Sequence, residues 1–248
     1  MLAADSPERP SAQAPGRIGQ ALIRMLMKRA TIVATETLAG RFRLITLEGP
    51  ELEGVAWVAG QKVQIAMGSA FVTRTYTPIE WNAATGRACI LGYVHGSGPG
   101  STWVADVGSG DQCDLFGPRG SIDVRDLSGP LAVFGDETAI GLAHALVYRD
   151  PARPVACHFE LDDAVGGREL IAQLGLDGAA LFARRAGDAH LAEMEARLPA
   201  LVAAGASFVL AGKAGTIQRV RQGLKRYAVP ASRIVTKAYW APGKAGLD

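Results

Sequence analysis

Residues 128–150 read SGPLAVFGDETAIGLAHALVYRD, and the fold turns on this stretch. Ser128-Gly129-Pro130 interrupts the pattern that precedes it. The run LAVFG is then a compact apolar strand, after which Ile140, Leu142, Ala143, Leu146 and Val147 make an apolar helical face. Gly135 reads as a tight turn between the two. Asp136 and Glu137 complement the helix dipole, and Thr138 is placed to cap it. A strand feeding directly into a helix opens an α/β unit, and the alternation continues downstream. PVACHFEL, AALFARRA, SFVLAG and SRIVTKAYW read as strands. REL with IAQLG, DAHLAEMEARLPALVAAG and KAGTIQRVRQGLKRY read as helices. Such alternation predicts a mostly parallel sheet covered on both faces.

Upstream of Ser128 the texture differs. TIVATETL, FRLITLEG, KVQIAM, RACILGYVHG and QCDLFGP are short, β-branched or alternating, and bounded by Gly, Pro or Asn. They predict an antiparallel sheet or small β-barrel, with one helical hint in SGPGSTWVADV. Ile18, Leu22, Met25 and Leu26 fall at helical spacing, so a short leading helix is expected over Ile18–Arg29. The expected organisation is a disordered tail over 1–16, an antiparallel β-barrel domain over 17–128, and a mostly parallel α/β nucleotide-binding domain over 129–248.

Bulk composition narrows the function classes. The 26 basic and 24 acidic residues nearly cancel, which argues against a nucleic-acid partner. Cys89, Cys113 and Cys157 form no CxxC and have no histidine at ligand spacing, so no zinc or iron–sulfur site is expected and the thiols read as free and buried. The polar, proline-bearing N-terminus lacks an apolar signal core, and apolar runs stop short of a membrane span. The expectation is a soluble, cytoplasmic protein.

FVTRTYTPIEW carries the first chemical motif. On a strand, Arg74 and Tyr76 share one face while Thr75 and Thr77 share the other. A cation, a flat ring and small hydroxyl donors are what a flavin dinucleotide needs for its diphosphate, its isoalloxazine and its polar edge. Pro78 fits the end of this strand. The plain alternative is an amphipathic edge strand. HGSGPGSTW follows about one strand later, with Gly96 and Gly98 allowing close backbone approach, and Ser101 and Thr102 where a short helix begins. His95 reads as a cofactor contact or a structural hydrogen-bonder, with proton transfer as the other reading.

These segments together resemble the siderophore-interacting proteins of the ferredoxin reductase superfamily. Arg74-Thr75-Tyr76-Thr77 is similar to their RxYT/S motif, His95 to Trp103 to HGxxGPAsxWA, Asp136 to Ala139 to aDETAlpa, and Ala238-Tyr239-Trp240 to the closing GYWrxG. One residue is missing between His95 and Gly98, Gly100 replaces the usual Ala, and Lys213 stands where many members have Glu. Only Gly68-Ser69-Ala70 separates KVQIAM from the FVTRTYT strand segment, where family loops are longer.

The resemblance implies an FAD-dependent reductase passing electrons from NADPH or NADH to a ferric siderophore. A general ferredoxin or flavodoxin-type reductase and a non-catalytic siderophore-binding flavoprotein are the alternatives, and ferredoxin is a further candidate partner. It implies FAD contacts from Arg74, Thr75, Tyr76, Thr77, His95, Gly96, Gly98, Ser101 and Thr102. Thr138 would face the nicotinamide, and one of Tyr239 and Trp240 would reach the flavin. Arg184 and Lys213, at strand ends, are read as a clamp for a nucleotide phosphate, with solvated surface charge as the alternative. Lys237 and Lys244 would give the entrance positive charge for an anionic chelate. No residue is expected to act as nucleophile or metal ligand.

Overall fold

The structure, a computed structural model, describes residues 26–68 and 72–243. The expected tail and most of the leading helix lie outside the described residues. The end of that helix is corrected: Lys28 and Arg29 open strand β1 (Lys28–Leu38) and pair with Leu115 and Asp114. The β-branched residues Thr31, Ile32 and Val33 extend the strand backwards, and sheet pairing overrides the weaker helical spacing.

Seven strands form the first sheet. They are β1, β2 (Phe42–Glu48), β3 (Lys62–Ala66), β4 (Thr73–Tyr76), β5 (Pro78–Asn82), β6 (Arg87–Tyr93) and β7 (Gln112–Arg119), in the order β4-β3-β7-β1-β2-β6-β5. Every pairing is antiparallel. The two edge strands, β4 and β5, are separated in sequence by Thr77 alone. Two Cα–Cα steps span at most about 7.6 Å, so the edges must meet and the sheet curls into a barrel with β4 at its seam. Pro78 is accordingly not the end of the RTYT strand. It begins the next one, opposite Ile90, a position where a missing N–H is tolerated. Alternate side chains, among them Ile32, Ile45, Leu47, Val63, Ile65, Ile90 and Leu115, fill the interior. Each fully buried side chain of this kind contributes roughly 1.5–3 kcal/mol. Helix α1 (Pro99–Asp106) closes one end by inserting Val104 into that core.

The second sheet is parallel, in the order β10-β9-β8-β11-β12: Ala180–Ala183, Val155–Leu161, Leu131–Asp136, Ser207–Lys213 and Ile234–Trp240. Both faces are buried, as the continuous apolar strands demand. Val133 and Val209 face one cluster with α2 (Ile140–Arg149) and α3 (Ala164–Gln173). Phe134, Phe208 and Leu210 face the other, with α4 (Leu191–Glu195), α5 (Leu198–Ala203) and α6 (Ala214–Arg226). The first cluster also takes in Leu38, Phe42, Ile122 and Leu127, so barrel and parallel sheet share one apolar interface.

Two local expectations change. DAHLAEMEARLPALVAAG is two helices rather than one, because Pro199 has no N–H to continue the ladder. Gly135 lies within β8 and makes no turn. A Cβ there would sit 2.4 Å from that of Ala139 and 2.9 Å from the Ala211 carbonyl, so glycine is needed for close packing at this strand end.

Candidate functional site

Two groups of predicted residues emerge, one at the barrel seam and one at the carboxyl edge of the parallel sheet. At the seam, β4 is held by β3 through Val63↔Tyr76 and Ile65↔Arg74, and Thr75 sits opposite Gln64. Arg74 and Tyr76 do share a face. The Arg74 stem lies along Gly100 of α1, where an added Cβ would be 2.9 Å from Arg74 Cγ. The Tyr76 hydroxyl donates to the Gly100 carbonyl at 3.4 Å, and its ring tilts against Trp103 at 5.7 Å. Burial raises the Tyr76 pKa well above the usual phenol range, with Arg74 opposing. Tyr76 thus braces the seam against α1. Arg74 Nη1 bonds the Thr73 carbonyl at 2.8 Å, and among the described residues no carboxylate pairs with its guanidinium.

The glycine loop leads into α1 with Gly98 as N-cap and Pro99 in the first turn, and no side chain caps this end. The helix therefore starts earlier than Ser101-Thr102, and the detail of those contacts is corrected. The Thr102 N–H already bonds the Gly98 carbonyl at 3.0 Å, which leaves the Gly100 and Ser101 amides as the helix's unsatisfied donors. Ser101 is buried, and its Oγ accepts the His95 N–H at 2.7 Å, stapling the loop. His95 itself is exposed and stacks on Tyr93 at 5.5 Å. Gly96, at φ +61, and Gly98 face open space. A half-buried guanidinium, free amides and open glycines are each chemistry that accepts an anion.

At the sheet edge the geometry departs from the sequence reading. Asp136, rather than Thr138, caps the 3-10 turn Glu137–Ala139 that leads into α2: its Oδ1 accepts from Thr138 N at 2.8 Å and also from Thr138 Oγ1. Asp136 Oδ2 accepts from Lys213 N and from Trp240 Nε1, both at 2.7 Å. Gly212 makes room for this: at φ +106, its Cβ would fall 2.6 Å from the carboxyl carbon. Asp136 is fully buried, and burial raises its pKa despite these donors.

Arg184 does not extend toward solvent as a clamp. It bonds Glu137 at 2.6 and 3.1 Å, Asp162 at 2.8 Å and Glu160 at 3.4 Å, with its side chain 16% exposed. Burial alone would lower its pKa, but Asp162, Glu137 and Glu160 hold it above the usual guanidinium value. Lys213 Nζ bonds Asp188 at 2.8 Å, which lowers the Asp188 pKa. Glu160 also receives the Thr216 hydroxyl, and lies 2.7 Å from His190 Nε2. Ligand atoms of Glu160, Asp188 and His190 lie within 4.8 Å of one another. Yet His190 Nδ1 accepts the Arg185 N–H at 3.2 Å, so Nε2 is the protonated nitrogen and Glu160 its acceptor. This network spans the carboxyl ends of all five parallel strands.

Trp240 and Tyr239 divide their roles as alternation requires. Trp240 covers Asp136, with the Arg184 guanidinium 5.9 Å from its ring. Tyr239 points toward the barrel, its hydroxyl 3.5 Å from Thr77 Oγ1, and burial pushes its pKa up to about 12. That contact ties the barrel seam to the second sheet. Lys237 is half-buried on β12, and Lys244 lies outside the described residues. Sequence reasoning missed Glu160, Thr216 and His190. The signal was present in Glu160, a carboxylate inside an apolar strand. The three cysteines are free and buried. Among the described residues no helix is long and apolar enough to cross a membrane.

Residues 58–122 match the family model of the siderophore-interacting FAD-binding domain. This segment contains both the RTYT strand and the glycine loop. A siderophore utilization protein from T. fusca is 22% identical, with a TM-score of 0.70 over 90% of this chain and 95% of that one. The siderophore-interacting protein SipS from Aeromonas hydrophila is 20% identical, with a TM-score of 0.73 over 88% and 93%. A cytochrome P450 reductase from Amycolatopsis is 19% identical, with a TM-score of 0.67 over 88% and 71%. No curated protein matches the sequence. The fold is the one shared by siderophore-interacting proteins and ferredoxin reductases.

Proposed function

We propose that this chain is an FAD-dependent reductase that passes electrons from a reduced nicotinamide nucleotide to the iron of a ferric siderophore. The observation that supports it most is Arg74, its guanidinium unpaired with any described carboxylate and its stem against Gly100 at an uncapped helix N-terminus, inside the segment that matches a siderophore-interacting FAD-binding domain. The residues present fit such a dinucleotide. A diphosphate needs a cation, free amides and room, and Arg74, the Gly100 and Ser101 amides, and open space at Gly96 and Gly98 offer all three.

When bound, the flavin would supply a two-electron intake and a one-electron output, matching a hydride donor to ferric ions. The balance is one NAD(P)H and two Fe(III) giving NAD(P)⁺, a proton and two Fe(II). Tyr76 and Trp103 keep α1 pressed on the seam, so Arg74 and the α1 amides hold their spacing. Ser101 fixes the loop that carries His95. Thr77 and Tyr239 hold the second sheet against the seam, and Thr138, in the turn just before α2, is the hydroxyl proposed to face the donor. Lys237 is proposed to favour an anionic chelate. Fe(II) binds hard oxygen donors more weakly than Fe(III), so reduction would release it without protein ligands.

The test begins with colour. Purified protein should copurify with or take up FAD, and should then release Fe(II) from ferric chelates into a ferrous trap when given NADH or NADPH. Arg74→Ala, shown by circular dichroism to be folded, should bind FAD about 10- to 100-fold more weakly, the range for a lost charge-assisted contact. A folded protein that takes up no FAD, or an Arg74→Ala variant that keeps it fully, overturns the proposal.

A further inference from the structure

We propose that the nucleotide used by this chain is NADH rather than NADPH, and that the Asp188–Lys213 and Asp162–Arg184 pairs set the choice. The inference rests on the reading above, that a nicotinamide nucleotide docks on the parallel sheet. In a sheet of this order the crevice opens at the carboxyl ends, where the strand order reverses between β8 and β11. The two nucleotides differ there by one phosphate on the adenosine ribose. That phosphate is dianionic and needs an available guanidinium or ammonium.

Arg184, Arg185 and Lys213 are the cations that follow or end strands β10 and β11, and each already faces a carboxylate, the two least exposed being Lys213 and Arg184. Arg184 is shared by Glu137, Glu160 and Asp162. Arg185 is 2.6 Å from Glu193, and Lys213 is 2.8 Å from Asp188. Two backbone donors at the crevice are taken as well, the amides of Thr138 and Lys213, which the buried Asp136 carboxylate receives. To reach Arg184 or Lys213, a 2′-phosphate would have to displace Asp162 or Asp188 and would meet the carboxylate left behind. A 2′-hydroxyl needs only an acceptor. Asp162 and Asp188, with side chains 56% and 47% exposed, retain oxygens that water now reaches.

Calorimetric titration of the FAD-loaded protein with NAD⁺ and NADP⁺ tests this without turnover. Wild type should bind NAD⁺ at least about tenfold more tightly, the discrimination expected when one phosphate goes unpaired beside carboxylates. Asp188→Asn releases the Lys213 ammonium and should narrow that ratio by about fivefold or more. Lys213→Ala should leave the ratio within about twofold, since a neutralised lysine offers the phosphate nothing. Equal or tighter binding of NADP⁺ by wild type, or a ratio unmoved by Asp188→Asn, overturns the inference while the donor reading stands. If neither nucleotide binds and neither reduces the flavin, the donor reading fails first and takes the inference with it.

Discussion

Replacing Arg184 with Met separates a structural guanidinium from a ligand-binding one. The side chain is 16% exposed, and it faces Glu137 at 5% and Glu160 at 0%. Methionine keeps the stem's volume but leaves two buried carboxylates without their cation. Breaking a buried ion pair on one side costs about 3–5 kcal/mol. For a chain of this size each kcal/mol lowers the melting temperature by roughly 2–4 °C, so a fall of about 6–20 °C is expected. Arg185→Met removes the neighbouring guanidinium from an exposed pair, 55% and 52% for the two side chains, and should cost less than about 1 kcal/mol.

Thermal melts of both variants, at equal ligand loading, make the comparison. A pH series adds a second check. Burial already raises the Glu137 pKa, and Arg184 is the main influence holding it down. Without Arg184 the folded Glu137 binds its proton more readily than the unfolded chain does. The Arg184→Met deficit should therefore be largest at neutral pH and shrink as pH falls through the raised Glu137 value. Similar small losses in the two variants would refute the view that the network braces the sheet edge.

Two further outcomes follow from the same packing. His158 stacks on Phe134 at 4.5 Å with neither ring nitrogen partnered, and burial, then Arg197, lowers its pKa from 6.5 to about 4. The folded state favours the neutral ring, so stability should fall as pH drops below about 6.5 and level off near 4, by roughly 3 kcal/mol. His158→Phe should flatten that limb in urea titrations; an unchanged acid limb would count against the reading. Gly212→Ala should cost about 2–4 kcal/mol, because φ is +106 and the new Cβ meets the Asp136 carboxyl at 2.6 Å. A urea midpoint like that of wild type would show that the Asp136 contact is dispensable.

Local chemistry made much of this protein legible in advance. The apolar run Leu131–Gly135 passing into an amphipathic helix, and the short alternating segments before it, reflect periodicities of 3.6 and 2 that act within a few residues. The RTYT strand was readable for the same reason: alternation alone places Arg74 and Tyr76 on one face. Pro199 could have been read as a helix break and Glu160 as a buried acid in need of partners, since both signals are local.

What charges do at a distance was not readable. Arg184 and Lys213 looked like free cations because their strand-end positions are exposed on average. Only folding brings Glu137, Asp162 and Asp188 to them from 47, 22 and 25 residues away. The closing of the barrel at Thr77, and the contact of Thr77 with Tyr239 across 162 residues, are likewise products of topology. A sequence states which side chains carry charge; whether a charge is spent inside the molecule or left for a ligand depends on distances of a few ångströms, and the tertiary structure alone sets those.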